Sequence, residues 1–265
     1  VSASGELERE VSVARDAALA AGEIIARRCN TDRQSWEKSE DNPVTQTDLE
    51  ANAAITQILQ QGFPDDLILS EETRDSPDRL AAERVWIIDP LDGTKEFIEG
   101  VPEFAVSVAL ALRGEPVVGV VYQPLTCECF WGSRGRGAYL GEERVQVSDL
   151  AALDQAVVLS SRTEMSRGQT TPYEHLFQEL RPVGSVAFKL ALISAGRADL
   201  WISAVPKSEW DVCGGDLLVR EAGGIFCTFE HGERVYNQSD VLLRPLMAAG
   251  PAALVNGFRE RSNQS

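Results

Sequence analysis

Leu7, Val11, Ala14, Ala18, Ala21 and Ile25 recur at steps of three and four. That spacing puts them on one face of a helix over residues 6–28. Residues 30–46 are polar and contain Asn42-Pro43, which predicts a loop. Thr47 with Glu50 three positions on is a capping-box pattern, and it opens a second helix running to about residue 61. Gly62, Pro64 and Asp65 end it. Short apolar runs at 67–70 and 84–88 read as buried strands. Strand-like segments follow at 105–112, 117–122, 128–132 and 137–140, separated by Gly and Pro turns. That succession suggests an antiparallel sheet. From about 148 the pattern alternates. It predicts a capped helical turn at 148–153, a strand at 156–160 and helices at 173–180 and 185–195. A strand at 198–203 and a helix at 211–222 follow, the helix closed by Gly223-Gly224.

The first half thus reads as α+β and the second as α/β. The boundary falls near 145, giving an N-terminal domain of residues 1–145 and a C-terminal domain of residues 146–265. The hydrophobic share of 43% and charged share of 25% across 265 residues are those of a folded chain with a sizeable core, and they exclude global disorder. The longest clean apolar run, near 104–112, is well short of the ~20 residues a membrane span needs. The first residues show neither the basic region nor the apolar stretch of a secretion signal.

Charge changes the picture more. Lys plus Arg number 25 against 41 Asp plus Glu, a net charge of −16. Nucleic-acid polymers and anionic membranes are therefore disfavoured as partners, while the binding of metal cations stays open. Cys29, Cys127, Cys129, Cys213 and Cys227 are odd in number and contain no C-x-x-C. His175 and His231 lie far from any cysteine pair. The cysteines read as reduced thiols of a cytoplasmic protein, and the spacing argues against zinc. Cys213 has no histidine near it in sequence and reads as packing.

Four segments carry candidate chemistry. In Trp86-Ile87-Ile88-Asp89-Pro90-Leu91-Asp92-Gly93-Thr94-Lys95-Glu96-Phe97 an apolar strand ends in two acids three residues apart. Carboxylates at a strand end hold hard cations, and free N–H groups at a following helix start receive phosphate oxygens. The bland alternative is an ordinary Asp-Gly turn. In Glu209-Trp210-Asp211-Val212-Cys213-Gly214-Gly215 an acid sits at a helix start, where the dipole favours it. The two glycines cost that helix ~1 kcal/mol each, so something must pack close against it. Ser70-Glu71-Glu72-Thr73 places two acids after a strand. Lys38-Ser39-Glu40-Asp41-Asn42-Pro43-Val44-Thr45-Gln46-Thr47-Asp48 leads a loop into a capped helix. Taken singly, the last two read as a solvated strand end and a helix-dipole acid.

Together, Pro43-Val44-Thr45-x-x-Asp48, Glu71-Glu72, Asp89-Pro90-Leu91-Asp92-Gly93-Thr94 and Trp210-Asp211 with Glu221-Ala222-Gly223-Gly224 resemble a known group. It is the lithium-sensitive, magnesium-dependent phosphomonoesterases of the inositol monophosphatase superfamily. The resemblance spans about residues 38–224. Within that superfamily, Thr94-Lys95-Glu96-Phe97, Gly119-Val120-Val121-Tyr122-x-Pro124 and Gly184-Ser185-x-x-x-Lys189 resemble the 3′(2′),5′-bisphosphate nucleotidase branch. Ser161-Arg162-Thr163-Glu164 departs from it, standing where that branch often has Ser-Arg-Ser-His.

The resemblance implies a layered αβαβα sandwich of the sugar-phosphatase type. It implies two or three Mg²⁺ ions held by Glu71, Asp89, Asp92, Asp211 and the Leu91 carbonyl. Glu71 and Thr94 would position and activate a water, with Asp48 supporting Thr94. The N–H groups of Gly93 and Thr94 would hold the phosphate. Lys38 would close over the site or help hold a third ion, and Arg162, Ser185 and Lys189 are candidates for the rest of the substrate. A surface helix lysine is an equal alternative for Lys189. The implied reaction is removal of the 3′-phosphate of adenosine 3′,5′-bisphosphate, a small phosphorylated nucleotide, to give AMP and phosphate. Inositol-1-phosphatase and fructose-1,6-bisphosphatase are the alternatives within the superfamily. A haloacid-dehalogenase-like phosphatase needs Asp-x-Asp, whereas this chain has Asp-x-x-Asp. A non-enzymatic cation module of the EF-hand kind lacks its loop here. Monomer and homodimer both stay open.

Overall fold

In the computed structural model, which describes residues 7–29, 35–39, 42–229 and 235–263, the apolar run from 84 extends into a nine-residue strand. Its side chains alternate between two cores. Val85 and Ile87 enter one, Trp86 and Ile88 the other. The first elements in chain order are α1 (Glu8–Arg28), β1 (Ser35–Ser39), β2 (Asn42–Thr45), α2 (Gln46–Gly62), β3 (Leu67–Ser70), β4 (Arg84–Asp92) and α3 (Thr94–Glu99). Next come β5 (Ala105–Leu112), β6 (Glu115–Gln123), β7 (Glu128–Ser133), β8 (Gly137–Leu140) and β9 (Glu143–Val145). Then follow β10 (Val157–Ser160), α4 (Arg162–Ser166), β11 (Glu179–Pro182), α5 (Val186–Ser194), β12 (Leu200–Ser203), β13 (Lys207–Ser208) and α6 (Glu209–Glu221). The last are β14 (Ile225–Thr228), β15 (Leu242–Leu243), β16 (Met247–Gly250) and α7 (Ala252–Ser262).

Strands β3 to β9 form a seven-stranded sheet in sequence order. Only the β3–β4 pair is parallel. A five-stranded sheet has the order β11-β10-β12-β16-β14. Its first three strands run parallel, and β16 is antiparallel to both neighbours. Helices α1 and α2 cover the outer face of the large sheet, where Ala14, Ala18 and Ile25 meet Trp86, Val108 and Leu110. Helices α5 and α6 fill the space between the sheets, and α7 covers the far face of the small sheet through Leu254 and Phe258. The result is an αβαβα sandwich whose middle core draws on residues from Leu69 to Ala249.

The glycine pair in α6 has its reason in this packing. Strand β5 turns the small residues Ala105 and Ala109 to the middle core. A Cβ on Gly119 of β6 would lie 2.6 Å from the Gly214 carbonyl oxygen. One on Gly215 would lie 2.4 Å from Leu190 Cβ of α5. The helix therefore rests almost backbone to backbone on the sheet. Cys213 is fully buried beside these contacts.

Several expectations need correction. The described part of 30–46 is an antiparallel hairpin, β1–β2, followed directly by α2. Helix α2 is capped by Thr45, with Asp48 in the third helical position, two residues earlier than the Thr47 pattern suggested. Residues 148–153 form no helix; a 3₁₀ turn at Leu153–Gln155 stands there instead. The helix expected at 173–180 is a 3₁₀ turn, Thr171–Leu176, running into β11. Tyr173, Leu176, Phe177 and Leu180 do have helical spacing, but they pack around the core that holds Phe258, and Phe177 is extended. No helix among the described residues is long and apolar enough to cross a membrane, and no disulfide forms among them.

Candidate active site

Strand β4 ends at the edge of a cavity of about 190 Å³ lined by Glu71, Asp89, Leu91, Asp92, Gly93 and Thr94 from the first half of the chain. Ser185, Lys189 and Asp211 line it from the second half. Carboxylate oxygens of Asp89, Asp92 and Asp211 lie within 4.8 Å of one another. Each is oriented by hydrogen bonds, Asp89 and Asp211 from nearby backbone and Asp92 from the start of α5. Asp89 Oδ1 accepts the Leu91 N–H at 3.0 Å. Asp92 Oδ2 accepts the Ala187 N–H at 2.6 Å and the Ser185 hydroxyl at 2.7 Å. Asp211 Oδ2 accepts the Ser208 N–H at 2.7 Å and so closes the first turn of α6. Strand β4 and helix α6 thereby deliver three acids to one point, with the start of α5 holding Asp92.

Electrostatics mark the cost of this arrangement. Burial, then repulsion from Glu71, Asp92 and Asp211, pushes Asp89 well above the usual carboxylate range. Burial, with repulsion from Asp92 and Glu71, pushes Asp211 up to about 8. Asp92 is raised by burial and restrained by its bonds to Ala187 and Ser185 and by Lys189 and Lys207. Clustered buried carboxylates of this kind are relieved by a cation. The donor set is all oxygen and hard, which fits Mg²⁺ better than a thiophilic metal.

Thr94 and Asp48 form a second unit. The Thr94 hydroxyl is 2.9 Å from Asp48 Oδ1 and 3.1 Å from the Leu91 carbonyl oxygen, so one proton is shared between two acceptors. Asp48 Oδ2 accepts from Thr45 N–H at 2.8 Å and from Thr45 Oγ1 at 2.5 Å. Burial raises the Asp48 pKa against these bonds. Gly93, at φ 100°, turns the chain into α3, and a Cβ there would press on Phe104 and the Glu103 carbonyl.

The substrate-side candidates divide. Ser185 lines the cavity, but its hydroxyl donates to Asp92 and accepts the Phe188 N–H at 2.9 Å, capping α5. It holds φ at +52°, a strained position for a non-glycine. The surface alternative for Lys189 does not hold. It is buried, and Nζ donates to the Val183 carbonyl at 2.8 Å. Burial, then Lys207, pushes its pKa down to about 8. Arg162 does not line the cavity; it pairs with Glu103, which also accepts the Gly184 N–H at 2.7 Å. The side chain of Lys38 lies outside the described residues. Glu164 is buried and faces inward, accepting from Ser203, the Ala204 N–H and Lys207 Nζ.

Three contributors have no role assigned from the sequence. Thr45 orients Asp48, Glu103 ties Arg162 to Gly184, and Lys207, paired with Glu164 at 2.9 Å, lowers the pKa values of Asp92 and Asp211 by its charge. Thr45 stands in the Pro43-Val44-Thr45-x-x-Asp48 motif and Lys207 four residues before Asp211, whereas Glu103 left no signal.

Comparison with known proteins agrees with this geometry. A relative named Nus factor SuhB from Pasteurella multocida is 35% identical over 231 residues, covering 84% of this chain and 86% of its own. Inositol monophosphatase 1 of Solanum lycopersicum is 36% identical over 232 residues, with 84% and 85% covered. The solved structure of an IMPase from Thermotoga maritima superposes with a TM-score of 0.84 at 27% identity, covering 96% of each chain. The model of the inositol monophosphatase family matches residues 6–258. With its αβαβα layers and converging carboxylates, the chain belongs to the inositol monophosphatase family.

Proposed function

We propose that the chain is a Mg²⁺-dependent phosphomonoesterase of a small polyhydroxyl phosphate, and that an inositol monophosphate is its substrate. The observation that carries this reading is the convergence of Asp89, Asp92 and Asp211 within 4.8 Å beside Thr94. These three, with Glu71 and the Leu91 carbonyl, would hold the metal. Bound there, Mg²⁺ supplies positive charge that offsets the phosphate and makes a nearby water more acidic. The protein's own groups supply the rest. Thr94 gives its proton to Asp48 and Leu91 and so offers an oxygen lone pair to a water's hydrogen. Asp48, its pKa raised by burial, is the acceptor at the end of that chain. The N–H groups of Gly93 and Thr94 open α3 without helical partners and are placed for a phosphate oxygen.

The family match and the tomato relative's name support an inositol phosphate over a nucleotide. One observation favours the 3′(2′),5′-bisphosphate nucleotidase reading. Lys95 and the buried Lys189 both line the cavity, adding positive charge that a second phosphate would use. Phosphate release from inositol 1-phosphate, adenosine 3′,5′-bisphosphate and fructose 1,6-bisphosphate, with Mg²⁺ and with chelator, tests the reading. The highest kcat/KM is expected on inositol 1-phosphate, with no release in chelator. A higher value on the nucleotide replaces the substrate with the second reading. No release from any of the three, or release that survives chelation, removes the phosphatase reading.

A further inference from the structure

A second cavity, of about 870 Å³, opens between the first turns of α1 and the β7–β8 turn. It is separate from the carboxylate site. Across the large sheet Asp89 is in register with Ser107, Val121 and Phe130. The β7–β8 turn lies three residues further along β7, toward the opposite end of the sheet. The residues lining the cavity carry a charge opposite to that of the whole chain, with Glu142 outside the lining pairing Arg15 at 3.8 Å. Arg15, Arg134, Arg136 and Arg144 line it against two acids, Glu8 and Asp16, in a chain of net charge −16.

The arginines are held in place by design of the backbone around them. Glu221, the last residue of α6, accepts the N–H groups of Gly135 and Gly137 at 2.8 Å each and fixes the turn. The Arg144 guanidinium lies so close to Gly137 that a Cβ there would meet its Nε at 2.8 Å. Arg15 sits 5.0 Å over the Trp131 ring, whose indole stacks on Tyr139 at 4.5 Å. Arg136 pairs with Glu8 at 2.8 Å, but both are exposed, and such pairs hold weakly. Arg134 and Arg144 have no acidic partner among the described residues. Guanidinium groups bind phosphate through paired N–H donors, and a concave site of this size suits a small molecule.

We propose that this cavity is a second, non-catalytic binding site for a small molecule carrying a di- or triphosphate group. The assignment is independent of the substrate of the carboxylate site. Calorimetric titration of the full chain with inorganic tripolyphosphate, at low salt in chelator, isolates it. Without metal, the carboxylate site repels anions. One tripolyphosphate per chain is expected. The Arg134→Gln/Arg144→Gln double variant should bind roughly tenfold or more weakly, as loss of charge-assisted contacts implies. Its Mg²⁺-dependent phosphate release should be unchanged, which shows that it folds. Arg181→Gln, at an exposed arginine paired with Glu179, should bind as the parent does. Equal binding by parent and double variant overturns the proposal. So does absence of binding at millimolar tripolyphosphate, or binding of polyglutamate in its place.

Discussion

Asp48 and Asp211 solve the same local problem twice. Each occupies the third position of its helix and accepts at Oδ2 the N–H of the capping residue, Thr45 or Ser208. The second oxygen of Asp48 then holds Thr94. A helix cap thus orients each carboxylate at no extra cost in order. Asp48→Asn keeps the shape but makes a poorer proton acceptor. Its kcat should fall by about 10²- to 10⁴-fold, the range of a lost general base, with Mg²⁺ affinity unchanged. Thr94→Ser, which keeps the hydroxyl, should retain most of the rate in the same assay. A Mg²⁺ affinity that falls along with kcat would show that Asp48 acts on the metal instead. These acids were legible in the sequence because each sits in a run of special residue types. Glu103 was not, because its role depends on Gly184, 81 residues away.

Among the elements, α6 is the most constrained. Its glycines are matched to Gly119 of β6 and Leu190 of α5. Gly119→Ala would drive a methyl into the Gly214 backbone carbonyl, which cannot swing away as a side chain can. Such overpacking costs about 1–3 kcal/mol. A lowered urea midpoint with an unchanged slope is the expected readout, and an unchanged midpoint would mean that the helix can lift off the sheet. Sequence reading found this tight contact from the two glycines alone. It also found α1, from its helical period, and β4 and β5, from unbroken apolar runs buried on both faces. It missed the β1–β2 hairpin, a two-stranded ribbon in which Val44 is buried but Trp36 is exposed, too few apolar positions to set an alternation. At 173–180 it was misled by four core residues whose helical spacing serves a turn and a strand instead.

On the scale of the molecule, the acid excess and the metal are coupled through pH. Asp211 titrates at about 8 in the metal-free fold and in the ordinary carboxylate range when unfolded. The fold therefore holds this proton more tightly than the unfolded chain does. That stability is complete at low pH and is lost as pH rises through about 8. The metal-free protein should have a lower Tm at pH 8 than at pH 6. Mg²⁺ needs the charged carboxylates, so its stabilisation of the native state should be larger at pH 8. Thermal melts at both pH values, with Mg²⁺ and with chelator, check this. An equal Mg²⁺ shift at the two pH values would detach the cation from Asp89, Asp92 and Asp211.

Helix α6 has thirteen residues and spans about 20 Å at 1.5 Å per residue. It carries Asp211 near one end and Glu221, which clamps the arginine turn, at the other. Its neighbours Gly119 and Ser107 lie about a hundred positions earlier in the chain. Contacts that distant close late during folding, because a long loop must be ordered before they form. Strands β5 to β8 are joined by short turns and can pair without α6. The helix then docks onto a surface that already exists. The third carboxylate arrives only with it, so the capacity to hold a divalent cation is among the last properties the folding chain acquires.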